Sequence, residues 1–163
     1  MAHAACFAKL QTLVGNGPVI SNHAYNESHV NAAQIEGCTG VSCIRDLQIA
    51  AANSKLVEHH VGFSAHSYEP CWQHAAFTTQ LALFLLGAGH QAYFACGPWH
   101  STLTSLEDKG PWHPEYERKL GAPLGDAVLG PGGIYTRTFA SGTTASYNVS
   151  SGVGTIVWSQ YGV

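Results

Sequence analysis

His74-Ala75-Ala76-Phe77-Thr78-Thr79-Gln80-Leu81-Ala82-Leu83-Phe84-Leu85-Leu86, closed by Gly87-Ala88-Gly89 and continued by Gln91-Ala92-Tyr93-Phe94-Ala95-Cys96, is the stretch from which the fold is read. An apolar run of helical length passes through a glycine break into a short apolar strand. The same unit occurs twice earlier. Residues 2–14 lead through Gly15-Asn16-Gly17 into Pro18-Val19-Ile20-Ser21-Asn22-His23, and residues 44–53 lead into Lys55-Leu56-Val57-Glu58-His59-His60-Val61. Strands alternating with helices of roughly 10–15 residues predict parallel strands joined by crossover helices. A further candidate strand, Asn31-Ala32-Ala33-Gln34-Ile35-Glu36, has no helix before it, so it either continues the strand at Pro18 after a bend or pairs beside it. The helix from His74 is apolar on nearly every face and has to be covered on more than one side.

The 163 residues suffice for one full core. Charged residues are only 10% of the chain against 45% apolar, which implies exposed apolar surface or a missing partner segment. A formal charge of −3 without any Lys/Arg cluster excludes nucleic acid and anionic membrane surfaces as partners. Polar breaks at Thr78-Thr79-Gln80 and Gly87-Ala88-Gly89 exclude a membrane span. The chain opens in mid-pattern at Ala2-His3-Ala4-Ala5 and so reads as truncated. Of five cysteines, Cys38 and Cys43 are spaced to close a small disulfide loop, with buried free thiols the alternative. Two glycosylation sequons, at Asn26 and Asn148, favour an extracellular location.

Beyond the third strand, residues 97–131 carry Pro98, Pro111, Pro114, Pro123 and Pro131 with few periodic apolar positions, and read as a long loop. Loops of that length are commonly functional. This one carries Trp99, His100, Trp112, His113 and Tyr116, either as sugar-stacking platforms or as cover for an open barrel end and the apolar helix. Residues 132–163 alternate as three short antiparallel strands. The expected division is thus 1–96 for the β/α part, 97–131 for the loop and 132–163 for a small β appendage.

Parallel α/β proteins gather their chemistry at the carboxyl ends of strands. The exits here are Asn22 and His23, Glu36, His59 and His60, and Cys96. Glu36, followed by Gly37, is the sharpest acid/base candidate. Glu58 lies inside its strand, where a salt bridge is the default reading and catalysis the minority one. His59 and His60 point to opposite faces, so only one can line a cleft and the two cannot chelate one ion together. The ten histidines are scattered without a ligand pair, and neither a metal nor another cofactor is expected.

The runs Gln80 to Gly89 into Tyr93-Phe94, Trp112-His113-Pro114-Glu115-Tyr116, Leu120-Gly121-Ala122-Pro123-Leu124-Gly125 and Ile134-Tyr135-Thr136-Arg137-Thr138-Phe139-Ala140-Ser141-Gly142-Thr143 resemble the C-terminal end of glycoside hydrolases with a (β/α)8 barrel. Ile35-Glu36-Gly37 is similar to that family's strand-end glutamate, and residues 57–61 to a later barrel strand with a cleft-lining His60. The resemblance implies an α/β fold, a partial (β/α)8 (TIM-type) barrel comprising its C-terminal half, with a small antiparallel appendage. It further implies hydrolysis of O-glycosidic bonds, with Glu36 as acid/base residue and Asn22, His60, Tyr93 and Trp112 shaping a carbohydrate cleft.

The N-terminal half of the barrel, with the strand that should bring the other acidic residue, is missing from the pattern. Glycosidases need two carboxyl groups. The chain alone is therefore expected to hydrolyse glycosides at no useful rate, and to self-associate or pair with the missing half through an exposed sheet edge. The competing reading is a non-catalytic carbohydrate-binding or structural domain derived from that scaffold. A second acid converging on Glu36 favours the enzyme; an exposed aromatic strip without one favours binding.

Overall fold

A computed structural model of the chain describes residues 2–15, 17–23, 25–62, 69–97 and 112–159. Strands β1 (Ile20–Asn22), β2 (Ala32–Glu36), β3 (Leu56–Val61) and β4 (Ala92–Cys96) form a parallel sheet in that order. Helix α1 (Ala2–Val14) precedes β1, α2 (Val41–Ala52) joins β2 to β3, and α3 (Glu69–Trp72) and α4 (His74–Gly87) lie between β3 and β4.

The strand without a preceding helix pairs beside β1, with Ile20 opposite Ala32. Parallel neighbours usually need a crossover of a dozen residues or more, and here residues 23–31 suffice because side chains brace the turn. Asn31 accepts from Val19 N through Oδ1 at 2.6 Å and donates through Nδ2 to Gly17 O at 3.2 Å. The Lys55 ammonium donates to Glu27 O at 2.6 Å and to Val30 O, which satisfies a cation that is 8% exposed.

Ala33 and Ile35, both buried, alternate with Gln34 and Glu36 along β2, and Ile35 joins Ile44 and Leu47 of α2 and Phe77, Leu83 and Leu86 of α4 in the main core. The cover that the apolar α4 requires comes from a second sheet. Strands β5 (Val128–Gly130), β6 (Ile134–Thr138), β7 (Thr144–Asn148) and β8 (Val153–Val157) run antiparallel in order. Ala145 and Tyr147 of β7 enter the core beside α4. Close approach depends on Gly154, where a Cβ would stand 2.9 Å from both the Ala82 Cβ and the Thr79 backbone. The layers are therefore parallel sheet, helices, antiparallel sheet.

The second sheet has four strands rather than the three read from sequence. Val128-Leu129-Gly130 is too short to show alternation, and it falls inside the stretch read as loop, as does a 3-10 turn at Pro114–Glu117. Arg137, 7% exposed, ties this sheet to α4. Its guanidinium donates to Leu85 O at 2.9 Å and Ala88 O at 2.7 Å, satisfying carbonyls that the end of α4 leaves without helical partners, and to Gly125 O at 2.9 Å in the segment before β5.

Cys38 and Cys43 form a disulfide with their Cα atoms 5.1 Å apart. A second disulfide, not foreseen, joins Cys71 of α3 to Cys96, Cα atoms 5.5 Å apart. Cys96 was a strand-exit candidate for the cleft; its sulfur is instead bound to Cys71, so it supplies no free thiol there. Cys6 is free and exposed.

Candidate functional site

Residues paired in register on parallel strands project to the same face of a sheet. Asn22 pairs with Gln34, Gln34 with Glu58, Glu36 with His60, and Glu58 with Tyr93. One face thus carries Ile20 and Asn22, then Gln34 and Glu36, then Leu56, Glu58 and His60, then Tyr93. All four helices are tied to the other face: α1 through Phe7 against Val19 and Val30, α2 and α4 through the core with Ile35 and Val57, α3 through Cys71 to Cys96. On the polar face Ile20 is 59% and Tyr93 62% exposed, Gln34, Glu36 and Glu58 are half-buried, and Ala32 and His60 are buried, so the face is open at its edge strands.

The polar groups of this face are linked. Asn22 Nδ2 donates to Glu36 Oε2 at 2.9 Å, and Gln34 Nε2 donates to Glu58 Oε2 at 3.3 Å. Each carboxylate is thereby held by a carboxamide one strand away. Glu36 is the last residue of β2, and Gly37 after it takes φ 59, a left-handed conformation that frees the chain to leave sharply. An open depression of about 350 Å³ adjoins Asn22, lined by Ser21, His23, Tyr25 and Glu27 among others.

His60 lies between the two acids in register. Burial pushes its pKa down, while the charges of Glu58 and Glu36 and a hydrogen bond to the Gly97 backbone act in the opposite direction. The net shift is downward, so the ring is neutral at pH 7. The ring is only 5% exposed, on the same face as both acids.

His59 faces the other way, fully buried between Phe84 and Phe94 with Nε2 3.3 Å from Cys38 Sγ. Desolvation, then the neighbouring His60, lower its pKa to about 4. In the unfolded chain the ring takes up a proton near pH 6.5, whereas the folded ring stays neutral down to about 4, so the unfolded state binds more protons in that window. Stability is expected to fall by about 3 kcal/mol as pH drops from 6.5 to 4. Urea unfolding at pH 7 and 4.5 checks this: His59→Phe should flatten the difference, and an unchanged acid limb would show that another group titrates.

Trp112 does not join the polar face. Its indole donates to Glu117 Oε1 at 3.2 Å and packs edge-on to Tyr116, which belongs with Phe77, His113 and Phe94 to an aromatic group on the helix side. Trp99 and His100 lie outside the described residues. The structure thus brings together Asn22, Glu36 and His60, sets Tyr93 on the same face, and leaves Trp112 apart.

Gln34 is not a site residue in the sequence reading, and catalysis by Glu58 is there only the minority reading. Their signal was period two: Gln34-x-Glu36 and Glu58-x-His60 are polar pairs inside otherwise apolar strands. It becomes informative only once the register places the two pairs side by side.

By class, this is a β/α protein with a parallel sheet that carries, on one face, an amide-held carboxylate at a strand exit, a second one pleat deeper and a neutral imidazole. The chain belongs to hypothetical glycosyl hydrolase family 15, whose sequence profile matches residues 21–143, from within β1 to the start of β7. No curated protein sequence matches it.

Proposed function

We propose that this chain is the C-terminal part of a (β/α)8-type glycoside hydrolase barrel, and that the polar face of its parallel sheet is the rim where glycosidic bonds are cleaved. The observation that carries the reading is that Glu36 and Glu58 share one face of adjacent parallel strands. Sheet spacings of about 3.3 Å per residue and 4.8 Å between strands put their backbones about 8 Å apart. The carboxyl separations used for retention, about 5–5.5 Å, or inversion, about 6.5–9.5 Å, lie within reach of their side chains. The second acid that the sequence reading assigned to a missing strand is thus available in Glu58.

Glu36, at the strand exit, donates its proton to the departing sugar oxygen, and Asn22 holds the carboxyl group in position. Glu58, one pleat deeper, stabilises the oxocarbenium-like centre as nucleophile or base. His60 and Tyr93 meet the sugar from the same face, and Trp112 reaches it only if its segment moves. A parallel sheet is ordinarily covered on both faces, and a closed barrel meets that need with its own interior. β1 and β4 are the outer strands of the sheet, where further barrel strands, or a second copy of the chain, would pair. Two disulfides support an extracellular setting.

An open face cannot exclude water, so turnover by the chain alone is expected to be slow and fastest with activated substrates. Against a panel of aryl glycosides, at least one should release its phenol, and Glu58→Gln should stop the release. Saturable sugar binding without any release would instead favour the carbohydrate-binding alternative.

A further inference from the structure

His74, His113 and Glu115 converge on the helix side of the sheet, away from the polar face. One ligand atom from each lies within 4.8 Å of the others. His74 is the first residue of α4 and its side chain is 73% exposed. His113 is buried, its ring stacked on Phe77 at 3.4 Å between centroids and 10° between planes. Its Nε2 lies 2.8 Å from Cys71 O. A carbonyl can only accept, so Nε2 carries the proton and Nδ1 holds the lone pair. A backbone carbonyl on the far nitrogen is the common way a metal-binding imidazole is oriented.

Glu115 sits in the 3-10 turn with its side chain 13% exposed. Its Oε1 is 3.8 Å from His74 Nε2, but Oε2 is buried and has no hydrogen-bond partner among the described residues. A buried carboxylate oxygen without a donor is costly. The His74 contact, made through Oε1, leaves that oxygen unaccounted for. We infer that His74, His113 and Glu115 form a site for one divalent transition-metal ion, zinc by the chemistry of two imidazoles and a carboxylate.

Zinc bonds of about 2.0–2.1 Å require ligand atoms about 3.3 Å apart in a tetrahedron. The exposed His74 can close that gap by a small side-chain movement. The fourth position remains for water. Such an ion joins the start of α4 to the 3-10 turn, and through His113 to the Cys71 carbonyl, so it clamps the segment after residue 111 onto the helices. The absence of a metal expected from sequence rested on the lack of neighbouring ligands; here they come from widely separated segments.

The test is a Zn²⁺ titration of the whole chain, freed of metal by a chelator, in competition with a chromogenic chelator. One equivalent should bind with a raised thermal midpoint, and Co²⁺ in its place should give the visible spectrum of a four-coordinate site. His74→Ala, an exposed change that spares the core, and Glu115→Gln should each weaken binding at least tenfold. Either no saturable binding, or binding that both substitutions leave intact, as a Cys6 or scattered-histidine signal would be, overturns the assignment.

Discussion

Glu36→Gln is expected to lower hydrolysis of a glycoside with a poor leaving group by about 10²–10⁴-fold, while its effect on cleavage of the bond to a dinitrophenyl leaving group is far smaller. The contrast follows from the role assigned to the residue. A general acid matters in proportion to how badly the departing oxygen needs a proton, and a dinitrophenolate needs none. Glu58→Gln, by contrast, should depress both substrates, because stabilisation of the sugar centre is required whatever departs. Asn22→Ala should weaken the Glu36 effect without removing it, since it frees the carboxyl group that Asn22 Nδ2 holds at 2.9 Å. Equal losses with both leaving groups for Glu36→Gln would remove it from the acid role.

The second large effect concerns stability. Arg137→Met is expected to cost about 3 kcal/mol, because hydrogen bonds from a charged donor contribute about 1.5–3 kcal/mol each and the Leu85 carbonyl is left buried without its donor. The acceptors are Leu85 O, Ala88 O and Gly125 O, so the substitution strips the end of α4 and unpins the second sheet together. Its ion pair with Asp126, at 3.9 Å and with that carboxylate 91% exposed, adds little. Arg137→Lys should recover only part of the loss, since one ammonium cannot reach three carbonyls in a fixed fork. For a chain of this size the thermal midpoint should drop by about 6–12 °C. A drop below 2 °C would show that water replaces the guanidinium.

Much of this architecture was legible in the sequence because its signals are local. The glycine breaks marked where α1 and α4 end, short apolar runs after helical stretches marked β1, β3 and β4, and period-two alternation marked β6 and β7. The loop of four residues between Cys38 and Cys43 marked their disulfide. What was not legible depends on distant pairing. Cys71 and Cys96 are neighbours only after α4 has crossed the sheet. Residues 23–31 replace a crossover helix with hydrogen bonds from Asn31 and Lys55, which no periodicity announces. Arg137, quoted as part of a motif, gains its meaning from carbonyls at the end of α4.

The candidate site divides in the same way. Glu36 was visible as an acid before a glycine at a strand exit. Glu58 looked like a strand residue in want of an ion-pair partner until the register set Gln34 beside it and His60 beside Glu36. The split of the adjacent histidines follows from the pleat, but the pleat does not say which one enters the core; only the family resemblance set His60 toward the cleft. Phe84 and Phe94 decide it by stacking around His59.

The claim that the polar sheet face is a carbohydrate site is tested most directly by NMR. Oligosaccharides and iminosugars are titrated into ¹⁵N-labelled chain and the perturbed amides are mapped. The account predicts saturable shifts grouped at Asn22, Gln34, Glu36, Glu58, His60 and Tyr93, diminished by Glu58→Gln. Shifts confined to the antiparallel sheet or to the segment around Trp112, with the six strand residues unmoved, would contradict it.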